Sequence, residues 1–185
     1  NGEGFRSWFF TVDHKRIGVM YLWAIGVFFI VAAIASFLLR AEHLTPGPTI
    51  VNADTYNVLF TLHGSMMVFL FIVPGVAASF GNFLIPLMIG AKDVIFPKLN
   101  LYSFWLYLAG ALIFMLALAA PADTGWTFYT PYSIETGANV ILITFGVFVL
   151  GFSSILTGIN FIVTMHKLRA PGMTWDRLPL FCWAA

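Results

Sequence analysis

The chain has 185 residues, 60% of them hydrophobic and only 9% charged, with a formal net charge of +1. A soluble domain carries about 25% charged residues, so this composition excludes that class, and a near-neutral balance offers no electrostatic footprint for nucleic acid. One cysteine, Cys182, excludes an internal disulfide framework and any multi-cysteine metal cluster.

In chain order, residues 1–16 are polar and charged. The apolar run that follows is too long for the core of a cleavable leader, so none is expected. Four apolar stretches come next, at about 17–39, 56–87, 99–120 and 136–166. A helix needs about 20 apolar residues to cross roughly 30 Å of hydrocarbon, and in lipid its backbone must satisfy itself. The alternating segments of a membrane barrel are missing. The expected fold class is therefore all-α integral membrane, with four transmembrane helices forming a single membrane domain over 1–185. The second stretch is longer than one crossing; Pro74 is expected to kink it, and Pro86 with Gly90 to mark its end. The fourth is also long, which predicts tilt or extension beyond the bilayer. The chain closes on Phe181-Cys182-Trp183 as a new apolar segment starts, so a portion of a longer polypeptide is expected.

Basic residues set the orientation. With the N-terminus on the cytoplasmic or matrix side, Arg6, Lys15, Arg16, Lys92, Lys98, Lys167, Arg169 and Arg177 all fall inside, and Arg40 alone falls outside. That asymmetry is the positive-inside pattern.

Polar residues within the spans carry the functional signal. His63 lies about two turns below the outer end of the second span, in an otherwise uncharged run. An ionisable group in hydrocarbon is costly and marks a functional site by default, and a neutral imidazole is a good ligand for haem iron. The competing reading is a hydrogen-bonded packing residue. Tyr21, Asn82, Asp93, Asn100, Ser103, Ser153, Ser154 and Asn160 bring polar groups from all four helices toward the inner side. Converging, they would hold a file of water leading inward from Asp93; the alternative is plain interhelical hydrogen bonding. Arg40 either snorkels to lipid phosphate or reaches a polar haem substituent. Glu42, with carbonyls near Pro46 and Gly47, has the chemistry for a hard cation such as Ca²⁺. The Trp126 indole either anchors at the interface or donates to a haem propionate.

The motifs resemble those of subunit I of the haem-copper terminal oxidases with a D-type proton channel. They are Asp13-His14-Lys15-Arg16-Ile17-Gly18, Leu39-Arg40-Ala41-Glu42, Thr61-Leu62-His63-Gly64, the run from Gly81-Asn82-Phe83 to Ala91-Lys92-Asp93, Phe96-Pro97-Lys98-Leu99-Asn100, Gly125-Trp126-Thr127, and Ser153-Ser154 through Asn160-Phe161. The resemblance implies the N-terminal part of a twelve-helix bundle. It implies that His63 is an axial ligand of a low-spin haem, expected as haem A, with Arg40 and Ser36 near its formyl group and Trp126 near its propionates. It implies that Asp93 is the mouth of a proton channel lined or supported by Asn82, Asn100, Ser103, Ser153, Ser154, Asn160 and Tyr21. Glu42 and Gly47 would match a structural cation site. Lys98, Lys92 and Thr45 depart from the family pattern, the last beside that cation site.

The implied function is respiratory: electrons from cytochrome c pass through the low-spin haem to a haem–copper centre, where O₂ is reduced to water as protons are pumped. The second haem, the copper and the catalytic centre belong to later helices, so no catalytic residue is expected in this stretch. Expected partners are a copper-bearing subunit II, other oxidase subunits, the electron donor and membrane lipid, in a bacterial inner or mitochondrial inner membrane. Alternatives are a quinol oxidase, a nitric oxide reductase, a non-catalytic haem-binding subunit and a transporter.

Overall fold

The computed structural model describes residue 4 and residues 6–117, 122–136 and 139–185. Four helices are long and apolar enough to cross a membrane. They are α1, His14–Glu42; α2, Ala53–Ile89; α3, Pro97–Leu116; and α4, Val140–Lys167. Short helical turns lie at Arg6–Phe9, Tyr132–Glu135, Trp175–Arg177 and Leu180–Ala184.

Each long helix starts where the sequence supplies a start signal. The Asp13 carboxylate accepts from the Lys15 and Arg16 amides, Asn52 caps Thr55, Pro97 opens α3, and Asn139 caps Leu142. α2 ends on Gly90, whose φ of 73° terminates the helix in the left-handed conformation. The helices run somewhat past the predicted spans at 17–39 and 56–87. Positions 118–120 of the predicted third span and 137–138 of the fourth lie outside the described residues, and α4 begins at Val140.

α2 differs from a simple kinked helix. It continues through 37 residues, with wide i→i+5 turns at Met66–Ile72 and Gly75–Phe80 on either side of Pro74. Proline lacks an N–H, so the Leu70 carbonyl loses the donor that residue 74 would supply in an α-helix. The Tyr107 hydroxyl donates to that carbonyl at 2.8 Å. Pro86, expected near the helix end, sits buried inside the last segment, Gly81–Ile89.

Packing is closest between α3 and α4. A Cβ on Gly110 would sit 2.9 Å from the Gly146 carbonyl oxygen, and one on Gly146 would sit 2.9 Å from the Phe114 nitrogen. Small residues let membrane helices approach backbone to backbone, where hydrophobic drive between helices is weak. Ile17, Tyr21, Ile25, Phe28, Met66, Leu70, Phe104, Tyr107 and Phe114 fill the shared core. A second cluster of Ile85, Ile89, Val94, Phe161 and Met165 closes the end that holds Asp93. The helices alternate in direction, so His14, Ile89, Pro97 and Lys167 share one end while Glu42, Ala53 and Val140 share the other.

Candidate functional site

Two polar sites stand at opposite ends of the bundle. The first centres on His63, half-buried on α2. Its Nδ1 lies 3.0 Å from the Ala32 carbonyl oxygen on α1. A carbonyl can only accept, so Nδ1 carries the proton and donates. In the neutral ring that fixes the tautomer and leaves the Nε2 lone pair available to a ligand. Ala32, Ser36 and Arg40 follow at four-residue spacing along one face of α1. Ser36 is half-buried, and Arg40 is exposed.

Trp126 packs directly over this helix. A Cβ added to Gly64 would lie 3.0 Å from the Trp126 Cδ1, so the absent side chain makes the room that the indole fills. The loop is tied down by the Gly125 amide, which donates to the Thr61 hydroxyl at 2.8 Å, two residues before His63. Gly125 takes a φ of 78°, which suits glycine. Farther along the same loop the Asp123 carboxylate accepts from Tyr132 at 2.6 Å and from Thr136 at 3.1 Å. The Tyr132 hydrogen bond, assisted by that of Thr136, outweighs partial burial and holds the Asp123 carboxyl below the usual carboxylate range.

Glu42 closes the neighbouring loop. Its two oxygens accept from the amides of Thr49, Ile50 and Val51 at 2.8–2.9 Å, and Gly47 provides the turn at a φ of 85°. Among the described residues no three His, Cys, Asp or Glu side chains gather. A cation at Glu42 would therefore take backbone carbonyls as its other ligands.

The second site begins at Asp93. Its Oδ1 accepts from the Val94 amide at 2.7 Å and from His14 Nδ1 at 3.0 Å. The Asp93 side chain is 37% exposed and that of His14 only 5%, so the carboxylate faces solvent from a buried base. Above it, Asn100 Nδ2 donates to Asn82 Oδ1, and Asn82 Nδ2 donates to the Ala78 carbonyl. The Ser103 hydroxyl donates to the Asn100 carbonyl and the Ser153 hydroxyl to the Ser103 carbonyl. Both serine protons are thereby used, so the Tyr21 hydroxyl is the donor in its contact with Ser103 at 3.1 Å. Tyr21, Asn82, Asn100, Ser103 and Ser153 form a buried polar column shared by four helices.

Two members of the predicted set stand apart from it. Ser154 is exposed, at the rim of a cleft of about 210 Å³ that Tyr21, Ser153 and Thr157 also line. Asn160 spends its amide on backbone: Oδ1 accepts from the Phe96 N–H and Nδ2 donates to the Phe96 carbonyl. It supports the Asp93 loop and does not enter the column. Thr164 does the same for the Ile95 amide. Thr164, Thr157, Tyr107 and His14 are contributors that the sequence reading left out of the set. The row Ser153, Thr157, Asn160, Thr164, at helical three- and four-residue spacing, was the available signal.

Two buried atoms of this site lack a partner in the described structure, His14 Nε2 and Asn100 Oδ1.

Comparison with known proteins places the chain in a family. Residues 16–185 match the family described as cytochrome c and quinol oxidase polypeptide I. The chain belongs to that family. It is 42% identical over 177 residues to cytochrome c oxidase subunit 1 of Thermostichus vulcanus, covering 95% of this chain and 32% of the relative. It is 43% identical over 177 residues to cytochrome c oxidase subunit 1 of Synechocystis, with 95% and 32% covered. It is 41% identical over 183 residues to a probable cytochrome c oxidase subunit 1-alpha of Streptomyces avermitilis, with 96% and 31% covered. The chain thus spans about a third of the length of these polypeptide I relatives. It is a multi-pass membrane protein with four apolar helices. Members of the polypeptide I family are haem and copper proteins.

Proposed function

We propose that this chain is the N-terminal portion of subunit I of a proton-pumping respiratory oxidase, with cytochrome c as electron donor, reducing O₂ to water. The relatives' names support the donor, since each is a cytochrome c oxidase. The matched family also includes quinol oxidases, which makes quinol the second reading.

The observation that carries the proposal is the hydrogen bond from His63 Nδ1 to the Ala32 carbonyl. It presents Nε2 as an oriented, neutral ligand for the iron of a low-spin haem, of the A type. When bound, that haem supplies one-electron redox chemistry. Trp126 walls the site beside Gly64, and Arg40 and Ser36 extend along α1 where haem-edge substituents would be met. The second haem, the copper and the copper-bearing subunit II belong to the complete complex. The cation at Glu42 and Gly47 belongs to this reading too.

At the other end, Asp93 collects protons from the side on which the basic residues cluster, the cytoplasm or matrix. The column of Asn82, Asn100, Ser103, Ser153 and Tyr21 orders water without trapping charge, because amides and hydroxyls both donate and accept. Asn160 holds the entrance loop, and Ser154 borders the cleft beside the column.

The test is His63→Ala in the full-length subunit. Loss of the low-spin haem absorption, with the protein still assembled, is the expected result; an unchanged spectrum overturns the assignment.

A further inference from the structure

A groove between α1 and α3 lies outside both polar sites. It holds about 530 Å³ and is lined chiefly by Trp8, Met20, Trp23, Ala24, Trp105 and Leu108. On α1 the lining runs Val19, Met20, Trp23, Ala24, Val27, the spacing of a single helical face. From Val19 to Val27 the helix rises about 12 Å, most of the roughly 15 Å of hydrocarbon in one leaflet. The groove therefore runs along the membrane normal through one leaflet.

Its mouth is basic. Arg16 precedes Val19 and Met20 by three and four residues, so it heads the same face. The Arg16 guanidinium lies 5.3 Å from the ring centre of Trp8, a lining residue, and its Nη1 donates to the Ser7 hydroxyl at 3.4 Å. Arg6 and Lys15 are exposed at the same end; there the Asp13 carboxylate is occupied by the Lys15 and Arg16 amides and the Asp93 carboxylate by His14 and the Val94 amide. The groove end is built and held: the Trp105 indole N–H donates to the Phe9 carbonyl at 3.3 Å, and the two rings stack at 5.1 Å. This pins the Arg6–Phe9 turn across the top of the cleft.

We propose that this groove is a binding site for an anionic phospholipid, with one acyl chain along Met20, Ala24 and Leu108 and the phosphate at Arg16. The occupant follows from the charge complementarity at the mouth and from a length and direction that match a leaflet. Basic pockets between helices at an interface attract anionic headgroups. The site stands on membrane residence alone and does not depend on the oxidase reading.

The experiment uses the full-length subunit in its assembled complex, reconstituted in phosphatidylcholine vesicles with a minor fraction of phosphatidylglycerol. Photoactivatable phosphatidylglycerol, with the reactive group in mid-chain, is crosslinked and mapped by peptide mass spectrometry. Labelling is expected at 19–27 and 104–108, and to fall about fivefold with the matching phosphatidylcholine probe, the weight of one basic side chain at an anionic headgroup. Arg16→Gln lowers the phosphatidylglycerol labelling by a similar factor and Arg16→Lys retains it. Ala24→Trp, which fills the groove, removes labelling by both probes. Equal labelling by the two lipids, indifference to Arg16→Gln, or no labelling because another subunit covers the groove each overturn the proposal. Full competition by inorganic phosphate overturns it also, since a lipid held along the groove resists that exchange.

Discussion

His14 Nδ1 and the Asp93 carboxylate meet at 3.0 Å, joining residues 79 positions apart at the start of α1 and in the loop before α3. The base is buried and the acid is open, so the contact aims the carboxylate without hiding it. With Asp93 exposed to this extent the contact contributes only about 1 kcal/mol. Its weight lies in position. Under the proposed function, Asp93→Asn slows O₂ consumption and abolishes proton pumping in the reconstituted oxidase, because an amide cannot collect protons. His14→Gln slows turnover less. Full turnover and pumping by Asp93→Asn would show that protons enter elsewhere.

Asn160 holds both backbone groups of Phe96, and no other described side chain substitutes for it. Asn160→Leu removes the acceptor of the Phe96 N–H, while the Phe96 carbonyl keeps the Asn100 amide, at a cost of about 1 kcal/mol. Hydrogen exchange at Ile95 and Phe96 should accelerate while amides in the middle of α4 keep their protection. Uniform acceleration along α4 would mean that the residue stabilises the helix and not the loop.

The Tyr107 hydroxyl replaces the donor that Pro74 removes. Tyr107→Phe should cost about 1–2 kcal/mol, read as a lower unfolding midpoint in detergent. In a Pro74→Ala background the helix regains its own amide at 74, so the same substitution should cost less. Additive effects in this double-mutant cycle would contradict the substitution of one donor for the other.

The helical skeleton was legible because hydrocarbon leaves few options. Runs of apolar residues, Asp13, Asn52 and Pro97 at helix starts, and Gly90 at an end all report local physics. His63 and Asp93 were legible as ionisable or polar residues at unexpected depth or at a loop mouth. What the sequence could not reveal was who pairs with whom. The Ala32 carbonyl is invisible as a partner because every residue has one, and Asn160 reads equally as a channel lining or a loop clamp until its Phe96 contacts are known. Pro74 advertised a disturbance, but the wide turns and the distant Tyr107 that repair it depend on how α3 packs.

The Asp123 carboxyl is held below the usual carboxylate range chiefly by Tyr132. A depressed folded value means that the interaction is complete above the unfolded value, near about 3.9, and is lost as pH falls through the lower folded one. The loop carrying Trp126 should therefore stay fixed at neutral pH and loosen only in acid. Tyr132→Phe should move the Asp123 titration midpoint upward, toward the ordinary value, in carbon NMR of labelled aspartate, with Asp123→Asn assigning the signal. A midpoint that stays in place would assign the depression to Thr136 instead.

The wide turns on either side of Pro74 make α2 a helix with adjustable phase. An α-helical residue contributes about 100° of rotation, and an i→i+5 turn absorbs one more residue than an i→i+4 turn. The half carrying His63 and the half carrying Asn82 are therefore set at independent angles on one unbroken rod. A single-residue deletion within 66–80 can be taken up by tightening a wide turn, leaving the helix intact. Without that slack, the loss of one residue would swing one half by about 100° relative to the other. Either His63 would leave the Ala32 carbonyl or Asn82 would leave Asn100, while the transmembrane span itself persisted.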